Sequence, residues 1–158
     1  MIRALILPFL LLAIPQITYA EAAIDVAIAP KNPVNNPVNN TGNLYVKCGK
    51  AKRINCIVDG DTFWHRGAKI RIADINTPET SRPGCAYEAG LGARATLRLT
   101  QLLNAGPFTL EQQGRDVDRY GRQLRIVTRD GQSLGTVLVA EGLAESWTGR
   151  RRDWCVTA

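Results

Sequence analysis

Residues 54–75 read INCIVDGDTFWHRGAKIRIADI. Apolar, β-branched and aromatic side chains fall into three short runs, 54–58, 62–66 and 69–75, separated by Asp59-Gly60 and by Gly67. Asp-Gly is a hairpin signal because glycine reaches the positive φ of a tight turn without a Cβ clash. Ile70 and Ile72 alternate as on a half-buried strand, and Asp74 continues that face. The stretch therefore predicts three consecutive strands. Thr77-Pro78 ends the third, since proline offers no N–H to a ladder. His65 reads as an exposed residue of the second strand.

Downstream, Leu91, Ala95, Leu99, Leu102 and Leu103 recur at helical spacing within 88–104, and Gly106-Pro107 stops that helix. Residues 108–113 and 123–129 predict two more strands around a polar loop. Residues 133–141 predict a second helix, with Ser133 as its cap and Gly142 as its stop. The order is β-β-β-α-β-β-α. The fold class is α+β, mainly β, and five strands with a helix after the third predict a small closed barrel of the oligonucleotide-binding (OB) fold.

Upstream, the chain changes character. Residues 1–20 carry one charge, Arg3, then an apolar run broken by Pro15, then Thr18 and Ala20 at the positions a signal peptidase reads. This predicts a signal peptide. The run is too short and too proline-broken for a good membrane span. The alternative is an uncleaved anchor, and either way the domain leaves the cytoplasm, to be periplasmic or secreted. Residues 21–44 form an Asn/Pro-rich linker in which Asn-Pro-Val-Asn at 32–35 repeats at 36–39. The folded domain is expected over 45–158, as a monomer.

The 158 residues hold 20 Lys+Arg, 14 Asp+Glu, four Cys and one His, for a formal charge of +6. One histidine excludes two-histidine acid–base pairs and zinc sites that need two. The basic excess lies in 45–158, where Arg outnumbers Lys, which suits bidentate phosphate recognition. Four cysteines in an exported chain imply disulfides, with three possible connectivities. Cys48 and Cys56 flank a turn-like segment and are paired, leaving Cys85 with Cys155. The other reading is free buried thiols.

Three polar clusters remain: Asp59-Gly60-Asp61-Thr62, then Arg71 with Asn76-Thr77-Pro78-Glu79-Thr80, then Asp116 to Arg122. Singly, each is an ordinary turn, a solvated arginine or a polar loop. Jointly, they hold what phosphodiester cleavage needs. Asp61 and Glu79 are oxygen ligands of the type Ca²⁺ or Mg²⁺ accepts, and Arg71 and Arg122 are two guanidinium forks for developing charge.

The motifs D-G-D-T, R-x4-N-T-P-E-T and D-R-Y-G-R, in this order, resemble the thermonuclease (staphylococcal nuclease-like) family over about residues 53–149. The ending W-T-G-R-R-R-D-W-C is similar to that of its exported, cysteine-containing bacterial members. The resemblance implies a Ca²⁺-dependent endonuclease on DNA and RNA, with water attacking the phosphate and leaving 5′-hydroxyl and 3′-phosphate ends. By it, Arg71, Glu79 and Arg122 are catalytic, and Asp61 and the Thr77 carbonyl bind the metal. Asp59, Asp118 and Tyr120 support the metal or the nucleotide. Asn76 stands where the family has a second metal-binding Asp. An amide oxygen still offers a ligand but removes a negative charge, so weaker metal binding is expected. The rival expectation is a nucleic-acid-binding OB module with weakened catalysis. Trp147, Arg150 to Arg152 and Trp154 interleave aromatic and basic groups, either as a grip on a single strand or as a cover over the barrel.

Overall fold

The structure, a computed structural model, describes residues 44–156. The predicted signal peptide and all but the last residue of the predicted linker lie outside the described residues. No described helix is long and apolar enough to cross a membrane.

In chain order the elements are β1 (Val46–Lys47), β2 (Cys56–Ile57), β3 (Thr62–His65), β4 (Ala68–Ile72), β5 (Ile75–Asn76), α1 (Ala86–Asn104), β6 (Thr109–Glu111), β7 (Gln123–Arg129), β8 (Gln132–Ser133), α2 (Leu134–Ala140) and β9 (Glu145–Ser146). The α+β class and the order of the main elements agree with the sequence. The principal sheet runs β1-β2-β3-β4-β7-β6, with β8 added to β7. It is mixed: β1 with β2 and β4 with β7 are parallel, and its other pairs are antiparallel.

The third predicted strand is split. β4 pairs with β7, whereas β5 pairs with β9 in a separate two-stranded ladder. The chain bends at Ala73-Asp74, and Arg71 spans the bend through Nη1, which donates to the carbonyls of Ile72 at 2.7 Å and Ile75 at 3.1 Å. A charged side chain thus satisfies carbonyls that a continuous ladder would have paired.

One core lies beneath the sheet. Ile57, Phe63, Ile70 and Ile72 from the strands meet Leu91, Ala95, Leu99 and Leu103 of α1 and Leu138 of α2. The helical positions are those whose spacing defined α1 in the sequence. The helix starts two residues earlier than the periodicity suggested because Cys85 caps it, its Sγ accepting from the Glu88 N–H.

His65 corrects the sequence reading. It is 8 % exposed and sits among Tyr45, Phe63 and Phe108. Residues 63 and 65 share a strand face, and this periodicity outweighs the polarity of the imidazole. Burial, with Arg66 adding to it, pushes the imidazole down to about 4, and burial raises the Tyr45 hydroxyl. Both groups are therefore neutral near pH 7, and the Tyr45 hydroxyl and Nδ1 of His65 share a hydrogen bond.

Disulfides join Cys48 to Cys56 and Cys85 to Cys155. The first ties the segment carrying β1 to β2. The second ties the N-terminus of α1 to the segment after β9.

Candidate active site

The turn between β2 and β3 carries Asp59 and Asp61. Asp59 Oδ1 accepts from the Asp61 N–H at 3.1 Å, the local bond that shapes an Asx-type turn. Asp61 is buried. Its Oδ1 accepts from the Thr62 hydroxyl at 2.8 Å, and its Oδ2 lies 2.9 Å from Arg71 Nη1. Arg71 faces Thr62 in the β3–β4 register, so strand pairing brings this ion pair together. Thr77, just beyond β5, points its N–H at Asp61 Oδ2 at 3.4 Å.

Arg122 enters from the loop before β7. Its Nε donates to Asp118 Oδ2 at 2.7 Å, and Nη1 reaches Thr62 Oγ1 at 3.4 Å. Asp118 also accepts the N–H groups of Tyr120 and Arg122. Burial raises its carboxyl, but these hydrogen bonds outweigh it and hold the group below the ordinary carboxylate range. Tyr120 is exposed, with the Arg119 and Arg122 guanidinium groups against its ring. Arg125 fixes the base of the loop by pairing with Asp116 at 2.7 Å.

Two cavities share Arg122 and Arg151. The larger, about 700 Å³, is lined by Arg71, Arg115, Arg119, Tyr120 and Trp147 among others. The smaller, about 100 Å³, is lined by Asp59, Asp61, Thr77, Pro78 and Glu79 beside the shared arginines. Burial, then the Asp61 charge, and then Glu79 raise the Asp59 carboxyl from 3.8 to about 7. The Asp59 and Asp61 carboxylates thus stand close enough to oppose each other's charge at this corner. Its donors are oxygens only, the set a hard divalent cation accepts. No three Asp, Glu, His or Cys side chains among the described residues are grouped closely enough to hold an ion by themselves. The carboxylates among those oxygens that would hold such a cation are Asp59 and Asp61.

Asn76 is outside the lining of both cavities. It is buried, faces Glu145 in the β5–β9 register, and donates Nδ2 to Glu145 Oε1 at 3.1 Å. An aspartate there would set two carboxylates against each other. Asp74 is turned to a structural task, its Oδ2 accepting from the Ser133 hydroxyl at 2.6 Å beside the cap of α2.

Residues 69–154, more than half of the chain, match the family described as staphylococcal nuclease homologue. The chain belongs to this family. Among curated proteins, this staphylococcal nuclease homologue is similar to Endonuclease YncB of Bacillus subtilis, 38% identical over 92 residues that are 55% of this chain and 43% of the relative. It is 39% identical over 92 residues to the SPbeta prophage-derived endonuclease YokF of the same organism, covering 55% of this chain and 31% of that one. An uncharacterized endonuclease of Haemophilus influenzae is 27% identical over 114 residues, 67% of this chain and 59% of the relative. The matched region is less than two thirds of the length of each.

Side chains of this nuclease homologue outside the three motifs also contribute: Glu88, which does not stand out in the sequence, and residues of the aromatic and basic tail, which do. Glu88, buried in the first turn of α1, accepts the Glu79 N–H at 3.1 Å through Oε1 and the Gly84 N–H at 2.7 Å through Oε2. Arg151 pairs with the Glu79 carboxylate. Trp147 and Trp154 divide the two readings of the tail: Trp154 is 7 % exposed and belongs to the core, while Trp147 is 41 % exposed and has Arg71 5.8 Å from its ring centre.

Gly92 permits the loop of Glu79 to lie where it does. A Cβ there would stand 2.9 Å from the Pro78 carbonyl oxygen and 3.0 Å from that of Glu79. Glycine to alanine in an exposed helix adds about 1 kcal/mol of stability. Here the sign should reverse, because overpacking against backbone costs about 1–3 kcal/mol. Gly92→Ala is expected to lower Tm by several degrees in a calorimetric scan; a higher Tm would contradict the close approach.

Proposed function

We propose that this domain is a metal-dependent phosphodiesterase that cleaves DNA and RNA with low sequence specificity. The observation that carries the reading is the meeting of Glu79, Arg122 and the Asp59–Asp61 pair around one small polar cavity that adjoins an arginine-lined cleft. The names of the curated relatives, all endonucleases, support it.

In this reading the cleft binds the strand and Arg122 takes a phosphate oxygen through N–H donors not committed to Asp118. Arg71 contributes from the cleft wall while its Nη1 holds Asp61. Glu79 orients a water in line with the phosphorus and takes its proton as the bond forms. The leaving oxygen is the 5′ oxygen, giving 5′-hydroxyl and 3′-phosphate ends. Asp61, Asp59 and the Thr77 carbonyl would hold a divalent cation, Ca²⁺ by preference, which supplies positive charge to a non-bridging oxygen. The two disulfides and the predicted signal peptide support export, to the periplasm or beyond. A second reading, binding without cleavage, draws on Asn76, whose amide is spent on Glu145.

A Ca²⁺ titration of the purified protein decides between them. Labelled single-stranded DNA and RNA should be cut with Ca²⁺ and left intact with chelator, and the new ends should accept phosphate from a kinase without prior dephosphorylation. Retention of intact strands at every Ca²⁺ and Mg²⁺ concentration would leave only the binding reading. The cation should also act on stability with a defined sign. Folded Asp59 takes its proton at about 7 rather than 3.8, so between about pH 4 and 7 the folded chain binds more protons than the unfolded one. The contribution of Asp59 to metal-free stability therefore falls as pH rises through that window. A cation relieves this repulsion but competes with the proton, so Ca²⁺ should raise Tm more at pH 8 than at pH 5. An equal or reversed effect in thermal melts would remove Asp59 from the cation site.

A further inference from the structure

We propose that Arg151 is a positioning residue for Glu79, held in place by the Cys85–Cys155 disulfide. The inference rests on the reading of Glu79 as the group that orients the attacking water. Glu79 is gripped twice. Its main-chain N–H is bound by Glu88 Oε1 at 3.1 Å, and its carboxylate is bound by Arg151 Nη1. Both grips lead to one covalent link. Cys85 caps α1 three residues before Glu88, Cys155 follows Arg151 by four, and Cys155 Sγ lies 3.9 Å from Glu88 Oε2.

An exposed ion pair by itself fixes little, since two long side chains must be ordered against water and salt. Arg151 and Glu79 are both substantially exposed, so the pair alone would be such a case. The difference lies in the backbone that carries Arg151. On its C-terminal side Trp154 is buried and Cys155 is bonded. Next to it, the Arg152 N–H donates to Glu145 Oε1 at 3.1 Å. Glu145 in turn holds Asn76 beside the start of the 77–80 turn. The segment is thus a strap, pinned on both sides of the Asn76–Glu79 stretch, and it delivers a guanidinium to the carboxylate with little freedom left to lose. Orientation of a reacting group matters at the scale of an ångström, which can change a rate about 10²-fold.

The test uses the full chain with Ca²⁺ and a single-stranded oligonucleotide. Arg151→Ala should lower kcat by about 10–100-fold with KM within about twofold and Tm unchanged, and Arg151→Lys should recover most of the loss. The double change Cys85→Ser and Cys155→Ser keeps an oxygen at the helix cap. It should lower kcat similarly, and adding Arg151→Ala should then do little more, the non-additivity of residues acting as one unit. A rise in KM at constant kcat would make Arg151 a phosphate anchor instead, and a rise in kcat would make it a block on Glu79; either overturns the proposal. Hydrogen exchange needs no substrate and separates this failure from that of the nuclease reading. The peptide holding the Glu79 and Gly84 amides should exchange faster in Arg151→Ala and in the serine variant than in wild type. Unchanged exchange there sinks the positioning role whether or not the protein cuts nucleic acid.

Discussion

Glu79→Gln is expected to cut the rate of strand cleavage by about 10²–10⁴-fold while leaving Tm within a degree or two. The range is that of a positioned general base. Glutamine keeps the length of the side chain and an oxygen for Arg151, so the loop has no reason to move. The Glu79 side chain is 37 % exposed and glutamine has nearly the same shape, so its packing contacts are kept. Its charge nevertheless acts on its neighbour, since Glu79 helps raise Asp59. The variant should therefore also show an Asp59 carboxyl titrating lower, measurable by carbon-detected NMR. Steady-state kinetics and thermal melts on the same preparation check the main claim. A rate within tenfold of wild type would move the base elsewhere.

The two arginines should fail differently. Arg122→Ala removes a donor from the phosphate and should cost about 10²–10³ in rate, with a small loss of stability, because its partner Asp118 keeps two backbone N–H bonds. Arg71→Ala should lose activity and also destabilise the fold by about 3–5 kcal/mol, the usual result of leaving one half of a buried ion pair. The structure gives three reasons for the difference. Asp61 would stay buried without its cation, and the carbonyls of Ile72 and Ile75 would lose their donor at the β4–β5 bend. Arg71 is also packed beside Trp147. Urea denaturation read next to cleavage rates separates the two variants. Adding Asp61→Asn to Arg71→Ala should restore part of the stability and none of the activity. Equal destabilisation by the two single changes would mean that Arg71 is not structural.

Much of the fold was legible because two periodicities are strong. The leucines of 91–103 mark α1, and the turn glycines at 60 and 67 separate the first hairpins. What was illegible has physical causes. β5 and β9 are two residues each and exist because they pair with each other, which no local pattern announces. The split of the third strand depends on Arg71 reaching carbonyls three residues apart, on both sides of the bend. His65 was misread through polarity when its spacing from Phe63 placed it inward. At the site, the three motifs named the arginines and carboxylates that line the cavities. The groups that hold them, Glu88 and Arg151, sit on a helix face and in a tail. The destination of the Glu88 carboxylate, the amides of a loop preceding the helix, has no local signal. The hydrogen bond of Asn76 to Glu145 links residues 69 positions apart and has no local signal either.

The Cys85–Cys155 bond joins residues 70 positions apart, and Cys155 follows every strand and helix among the described residues. Ribosomes release a chain from its N-terminus, so Asp61, Glu79 and Arg122 are all made before the strap. On the role proposed for Arg151, full activity becomes the last property the polypeptide acquires. It waits for translation to pass Cys155 and for two thiols to lose their electrons to an oxidant. On the proposed nuclease reading, a chain that has not yet closed this bond would cut about 10–100-fold more slowly than the finished one.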